Sequence, residues 1–405
     1  MTDTKPLKMI LAVLLKKRKD GSMYDICILG GGASGMAAAA AAHKTNEDLN
    51  ICIVEKNEIL GKKLLSAGNG RCNLSNEECE EKKETLDFLK SLGIFTRTDA
   101  EGRIYPYSEQ GAQVRALLAE HAKAACSRLI LNDKAASVEK NGSGFVVKTE
   151  SGQNIETAKL IIATGGKAGP QYGTTGDGYA FAKGLGHTVS RLAPALAGVE
   201  VEEDLSALKG VRAKCEVYLF RGLDNIFRES GEVQFTEYGL SGICVFNMAS
   251  EIRADDGESY ENAMKKYEVG VDFLPDFDEE EFIHLLQERQ KMDDVKEETR
   301  RLLGTIVNDK VAKYVIDKAG TEAHELAAAL KYDRYRVSGV RGWKEAQCTA
   351  GGVSYGEIDT DTMESKSSPG LFFTGEILDY DGPCGGFNLQ HAWLTGMKAG
   401  KAAAE

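Results

Sequence analysis

Hydrophobic and polar positions alternate along this chain in three textures. The first is a short apolar run broken by glycine. Tyr24-Asp25-Ile26-Cys27-Ile28-Leu29 reads as a buried strand, and a Gly-rich turn leads from it into an Ala-rich helix over residues 36–43. A second strand over residues 49–54 ends at Glu55, which completes a βαβ unit. Residues 144–149 and 160–163 continue the strand texture, the latter running into Thr164-Gly165-Gly166. The second texture, from Ala197 to about Leu274, is a series of short β-like runs separated by turn residues. They include Val199-Glu200-Val201, residues 215–220 and Ile243-Cys244-Val245-Phe246, and they predict an antiparallel sheet or small barrel. The third, over residues 278–331, is charged helix-forming sequence with Phe282, Leu285, Leu286, Leu302, Leu303 and Ile306 at helical spacing. After Trp343 the Gly-rich texture returns, and residues 370–375 read as a strand entering a turn.

The pattern predicts an α/β, Rossmann-like dinucleotide domain interrupted by an inserted β-barrel domain with a small helical subdomain. The expected boundaries are an N-terminal extension over 1–22, the dinucleotide domain over 23–190 and 346–405, a barrel-like substrate domain over 191–277 plus 332–345, and a helical cap over 278–331. In the extension, seven apolar residues from Met9 to Leu15 precede Lys16-Lys17-Arg18-Lys19. A bilayer span needs about 20, and basic residues behind the apolar run argue against a secretory signal. The extension reads as an amphipathic arm or the product of an upstream start, with the fold proper beginning at Met23.

Composition narrows the function classes. The chain has 405 residues, 42% hydrophobic and 28% charged, as a folded multidomain protein does. A net charge of -12 argues against a broad nucleic-acid surface. Nine cysteines without a CxxC pair point to reduced thiols in a cytoplasmic protein, with no metal site and no disulfide framework. The expected partner is a small apolar molecule, with no nucleic acid and no integral membrane contact; the oligomeric state stays open.

The chemistry sits in three Gly-rich segments. Gly30-Gly31-Gly32-Ala33-Ser34-Gly35 is a GxGxxG between a strand and a helix, where Gly30 allows the turn, Gly32 lets backbone approach a pyrophosphate and Gly35 lets the helix pack. Glu55 stands where an acid meets a ribose hydroxyl pair. Alone these serve NAD or FAD equally. The polar loop over residues 62–73, with Arg71 and Asn73, is something a single-cofactor NAD enzyme does not need. Residues 374–390 read as strand, turn, Gly385-Gly386 and a helix start that would aim N–H groups at an acceptor, with Asp379 placed for a sugar or ribityl hydroxyl. Together the three select FAD.

At this point the sequence resembles the BaiN-like, also called YhiN-like, flavoproteins, a family described as NAD(P)/FAD-dependent oxidoreductases or aminoacetone oxidases. The resemblance rests on residues 63–73, Gly102-Arg103-Ile104-Tyr105-Pro106, Ala163-Thr164-Gly165-Gly166, Thr175-Gly176-Asp177-Gly178, residues 235–242, Thr349-Ala350-Gly351-Gly352-Val353 and residues 375–390. It implies a glutathione-reductase-like FAD-binding domain with the inserted barrel and helical subdomain. It also implies FAD contacts from Gly30, Gly32, Ala33, Ser34, Gly35, Glu55 and Lys56, from Lys63, Arg71, Cys72 and Asn73, from Thr164 and Gly165, and from Gly375, Glu376, Asp379, Gly385, Gly386, Phe387, Asn388 and Leu389. Glu237 and Ile243 stand where His and Pro are common in that family, and Cys348 where Val is common. These departures bear on the substrate, not on the cofactor.

The reaction the resemblance implies is reduction of ring double bonds conjugated to a 3-oxo group in bile acids, with NAD(P)H as a transient reductant. Cys72, Tyr105, Tyr107, Cys384 and His391 are the candidates for the proton. Each Cys stands alone in its motif, which argues against thiol redox chemistry. Two other functions fit the same domain: an aminoketone oxidase, and a flavin-bearing nucleic-acid-modifying or binding protein, which the acidic balance disfavours.

Overall fold

The computed structural model describes residues 23–255, 257–291 and 295–405, so the N-terminal extension expected over 1–22 lies outside the described residues. The described residues divide into two units, those of 23–192 with 348–405, and those of 193–347.

The first unit is built on β1 (Tyr24–Leu29), α1 (Ala33–Thr45) and β2 (Ile51–Val54). There follow β3 (Ser75–Asn76), α2 (Lys82–Ser91), β4 (Thr96–Thr98), β5 (Arg103–Pro106), α3 (Gly111–Ala125), β6 (Arg128–Ile130), β7 (Ala135–Asn141), β8 (Gly144–Thr149), β9 (Asn154–Ile162) and α4 (Asp177–Gly184). The main sheet runs β6-β2-β1-β9-β8-β7, and a last strand from residues 371–373 pairs in parallel with β9. Parallel strands covered on both faces need continuous apolar sequence; accordingly Ile26, Cys27 and Ile28 and their neighbours Ile51, Cys52 and Ile53 are fully buried. Strands β3, β5 and β4 form a separate three-stranded sheet.

The second unit holds β10 (Ala193–Ala195), β11 (Val199–Val201), β12 (Arg212–Arg221), β13 (Asp224–Phe235), β14 (Gly239–Ser241), α5 (Ile243–Ala249), α6 (Tyr260–Met264) and β15 (Tyr267–Asp272). It continues with α7 (Glu279–Arg289), α8 (Val295–Leu303), α9 (Asp309–Ala319), α10 (Ala323–Lys331) and β16 (Asp333–Val340). Six strands close a barrel in the order β11-β14-β13-β12-β15-β16. One expected strand is a helix: residues 243–246 open α5. Its buried residues Cys244, Val245, Met248 and Ala249 recur at helical spacing, a period that a four-residue apolar window cannot reveal. Ile243 itself is exposed at 41%.

The chain then returns to the first unit with β17 (Cys348–Ala350), β18 (Leu371–Phe373) and α11 (Phe387–Ala404). Helix α11 packs on α1 with almost no side chain between them. A β-carbon on Gly396 would stand 2.3 Å from the Ser34 carbonyl oxygen, and one on Gly400 2.2 Å from that of Ala38. The Ala-rich face of α1, buried from Ala37 to Ala42, is the complementary surface. Two backbones in contact fix where both helices begin, and both begin at the candidate site.

Gly400→Ala therefore loses more by overpacking, about 1–3 kcal/mol, than it gains in helix propensity, about 1 kcal/mol, and lowers the urea midpoint. At Gly184, where a β-carbon meets nothing within 4 Å, the same change should raise it by up to about 1 kcal/mol. Equal shifts at the two sites would contradict the packing account.

Candidate functional site

The turn from β1 to α1 shows three glycines doing three jobs. Gly30 has φ +100°, and a β-carbon there would lie 2.3 Å from the Ala163 carbonyl oxygen; one on Gly35 would lie 2.0 Å from that of Gly30. A β-carbon on Gly32 would meet nothing within 4 Å. Nothing in the protein's own packing fills the space at Gly32, which leaves room there for an outside group. It caps α1 without a side-chain hydrogen bond, and the first turn holds no acidic residue. The first helical bond runs from Met36 N–H to the Gly32 carbonyl at 3.0 Å, so the N–H groups of Ala33, Ser34 and Gly35 precede the helix's own ladder, where an anion is favoured.

Glu55 is buried at the end of β2 and held from two sides. One oxygen accepts from Gly31 N–H at 2.7 Å; the other accepts from the Asn57 backbone at 2.8 Å and its side-chain amide at 2.7 Å. Asn57, which sequence reasoning missed, fixes the carboxylate. Lys56 points elsewhere: its ammonium bonds Thr175 Oγ1 at 2.6 Å and pairs with Asp177, which also takes Lys134 at 3.0 Å. At the end of β9, Thr164 Oγ1 is buried without a partner and Gly165 is left-handed at φ +72°.

The other half of the site lies where the loop over residues 61–73 meets the start of α11. Lys63 pairs with Glu376 at 2.7 Å, and Thr349 donates to the second Glu376 oxygen at 2.9 Å. Thr349 Oγ1 in turn accepts from the backbone N–H groups of Lys167 and Ala168 at 2.8 and 3.1 Å. Thr349 belongs to a segment the sequence marks, but its role as a hub between two loops was not legible there. The turn at Gly375 sits on the first turn of α1, since a β-carbon on Gly375 would stand 2.6 Å from Ser34 Oγ. Gly386 caps α11 in the left-handed region, again with no side-chain cap and no acid in the first turn. Beside it the Asn73 side-chain oxygen is buried with no partner. A β-carbon on Gly386 would come within 2.8 Å of that oxygen. Gly385 accepts from the Asn76 amide at 2.9 Å, and the Asn388 amide brackets Gly382, accepting its N–H at 3.1 Å and donating to its carbonyl at 2.8 Å. Phe387 and Leu389 are half-buried beside it, and Asp379 is exposed.

The five proton candidates separate. Cys72 is fully buried in left-handed backbone at φ +62°, and burial pushes its thiol up to about 12. Tyr105 is buried; its hydroxyl lies 3.3 Å from the Arg71 guanidinium, which covers its ring at 4.6 Å. Burial raises its pKa, and Arg103 and Arg71 oppose that rise. Cys384 is half-buried on the loop before α11. Tyr107 stands apart, 68% exposed, under Arg97. His391 is buried in α11, stacked on Tyr380 at 4.2 Å and hydrogen-bonded to the Tyr355 hydroxyl. Burial pushes its pKa down to about 3, so at neutral pH it is an uncharged structural imidazole.

These residues fit FAD. Two helix N-termini lacking capping side chains face the site, one with an open position at Gly32. A fixed carboxylate follows β2, and an orphaned amide oxygen marks the start of α11. Among the described residues no group of three His, Cys, Asp or Glu is placed to hold a metal ion, and no helix is long and apolar enough to cross a membrane.

Comparison with known proteins adds kinship to geometry. Residues 80–402 match the family model described as the HI0933-like protein Rossmann domain. The 3-dehydro-bile acid delta(4,6)-reductase of Clostridium scindens is 36% identical, over 95% of this chain and 100% of that protein. The ribosomal RNA dihydrouridine synthases of Escherichia coli and Haemophilus influenzae are each 26% identical, over 92% and 91% of this chain and 96% and 95% of theirs. A flavocytochrome c3 fumarate reductase in its open conformation shares the fold at a TM-score of 0.50 and 17% identity, over 100% of this chain and 81% of that one.

Two predictions follow from the geometry. Gly32→Ala adds a β-carbon only where the pyrophosphate is expected, so it should purify with little flavin, and with flavin stripped from both proteins it should melt like the wild type; unchanged flavin content would remove the cradle from this turn. Because the folded pKa of His391 lies below its unfolded value of about 6.5, its contribution to stability is full above that value and falls as pH drops toward the folded value. From pH 7.5 to 5 the loss is about 2 kcal/mol. Denaturation midpoints at the two pH values should show it, and His391→Gln should flatten it.

Proposed function

The chain belongs to the HI0933-like family, and from that membership we propose that it is an FAD-dependent oxidoreductase that saturates carbon–carbon double bonds conjugated to a carbonyl in a small apolar ring substrate of the 3-oxo steroid or bile-acid type. The observation that supports this reading most is the end-to-end identity with a bile-acid reductase, joined to the open turn at Gly32 and the fixed Glu55.

Bound FAD, once reduced by NAD(P)H, would supply the hydride that the β-carbon of an enone receives. The protein's own residues do the rest. Ala33, Ser34 and Gly35 offer N–H groups to the pyrophosphate, and Glu55 meets the ribose. Lys63, Glu376 and Thr349 tie together the loops that border the isoalloxazine site, while the start of α11 and Asn73 face its polar edge. Tyr105 is the group we assign to protonate the α-carbon. Burial raises its pKa, and the guanidinium groups of Arg103 and Arg71 oppose that rise, as they would favour the phenolate it leaves. The reductant we assign is NAD(P)H, which would dock transiently at the flavin, since the single GxGxxG of the sequence is assigned to FAD.

The dihydrouridine synthases support a second reading of the same chemistry. Dihydrouridine is uridine saturated at a bond conjugated to a carbonyl, so the names of these curated relatives share one reaction class, and RNA is the alternative substrate. The net charge of -12 favours the small molecule over a polyanion.

Anaerobic mixing tests the reading. NADH or NADPH should bleach the flavin, and a 3-oxo-Δ4 steroid should restore its colour without oxygen, whereas restoration by a uridine-containing RNA alone would move the substrate to nucleic acid. In Tyr105→Phe, bleaching by NAD(P)H should persist while reoxidation by the enone slows roughly 100-fold; unimpaired reoxidation would take Tyr105 out of the reaction.

A further inference from the structure

One face of the β3-β5-β4 sheet opens to solvent at its Phe95, Arg97 and Tyr107 end and is covered at Tyr105, beside the loop that carries Arg71 and Cys72. In the antiparallel register Arg97 stands opposite Tyr105, and Tyr107 N–H donates to the Phe95 carbonyl at 2.8 Å. Side chains alternate along a strand, so Phe95 and Arg97 share this face with Arg103, Tyr105 and Tyr107. The other face carries Ile94, Ile104 and Pro106, all buried. Phe95 is 62% and Tyr107 68% exposed. Two aromatic side chains at that exposure on paired backbone are costly to leave in water and form an apolar step.

Charge is distributed unevenly over the same face. Arg97 lies over the Tyr107 ring at 5.6 Å and Arg71 over Tyr105 at 4.6 Å. Both guanidinium groups turn to one carboxylate, Glu109, which pairs directly with Arg97 and stands 3.7 Å from Arg71. Glu109 is held in left-handed backbone at φ +52°. Two cations against one anion leave a positive excess at the Phe95 and Tyr107 end. At the opposite end Arg103 is bracketed by two carboxylates, Asp99 at 2.8 Å and Glu101 at 2.6 Å, so the excess there is negative.

We infer that this face is the docking platform for a flat, apolar ring substrate that bears one carboxylate, with the rings laid on Phe95 and Tyr107 and the carboxylate taken by Arg97 and Arg71. The inference rests on the enone-reductase reading and specifies which substrates that site prefers: acids over neutral steroids. Tyr107 then serves in binding, not as a proton donor, while Tyr105, two residues along the strand, is the donor. Aromatic rings beside arginines also suit stacked nucleobases. A polynucleotide would, however, bring a phosphate charge at every step against Asp99 and Glu101, whereas a monoanion meets the positive end alone.

The test is equilibrium binding to the oxidised holoenzyme at low salt, read by perturbation of the flavin spectrum, with 3-oxo-4-cholenoic acid and its methyl ester as probes. The acid should bind the wild type roughly fivefold more tightly than the ester, the scale of a partly exposed ion pair. Arg97→Gln should bring the acid down to the level of the ester and leave the ester unchanged, and Phe95→Ala should weaken both. Flavin content and melting temperature of the variants report that they are folded. Equal binding of acid and ester to the wild type, or an Arg97→Gln variant that keeps the preference, overturns the platform. So does a uridine oligonucleotide that binds more tightly than the acid and loses affinity in Arg97→Gln. Turnover of the ester separates the two levels: if the ester is reduced while the preference for the acid is absent, the reductase reading stands and the platform alone falls. If neither compound binds nor is reduced, both fall.

Discussion

Backbone contact made possible by missing β-carbons is the constraint on which the first unit depends. Gly396 and Gly400 let α11 rest on the carbonyls of α1, Gly35 lets α1 rest on the turn that precedes it, and Gly375 lets the turn after β18 sit on Ser34. Close-packed interiors transmit small displacements, so the starts of the two helices are fixed relative to each other to within a methyl group. Both starts lack a capping side chain and an acidic first turn. A protein that wished only to stabilise these helices would cap them. Gly396, well inside α11, lies beside the first turn of α1, so the two open starts are offset along the shared direction of the helices, which favours an elongated ligand with negative charge at one place and an electron-rich edge at another.

Around that scaffold, polar groups are restrained where their position matters. Glu55 is clamped by Gly31 and Asn57, and Glu376 by Lys63 and Thr349. Buried ionisable groups that lack a partner charge are kept neutral instead: Cys72 remains a thiol and His391 an uncharged imidazole. Of the proton candidates, Tyr105 alone combines burial with nearby cations, an arrangement suited to a group that must hold a proton and then release it.

The dinucleotide half of this architecture was legible in the sequence because its signals are local. Strand, Gly-rich turn, helix and terminal acid fall within residues 24–55, and each has a fixed offset. The change of texture between about residues 197 and 274 likewise announced an antiparallel sheet or small barrel, because short β-like runs between turn residues are a local signal, and the strands close into a barrel. What stayed hidden depends on contacts distant in sequence or on periods longer than the segment read. Residues 243–246 are apolar enough for a strand and become helical through Met248 and Ala249. His391 looked like a proton donor until Tyr355 and Tyr380 closed around it. Tyr107 looked equivalent to Tyr105 two positions away, and only the edge of a small sheet exposes one and buries the other. Thr349 acts through partners that no spacing rule connects to it, whereas Asn57 lies two residues from the carboxylate it fixes and was missed although the contact is local.

The central claim, that the two uncapped helix starts and Glu55 hold FAD through its adenylate half as well as its flavin, has one direct test. Flavin-stripped protein can be titrated with FAD, FMN and riboflavin while flavin fluorescence is followed. The account predicts one tight site for FAD and binding of FMN and riboflavin weaker by roughly 100-fold or more, the two decades expected when about 3 kcal/mol of pyrophosphate and ribose contacts are lost. FMN or riboflavin binding as tightly as FAD, or no flavin binding at all, would contradict it.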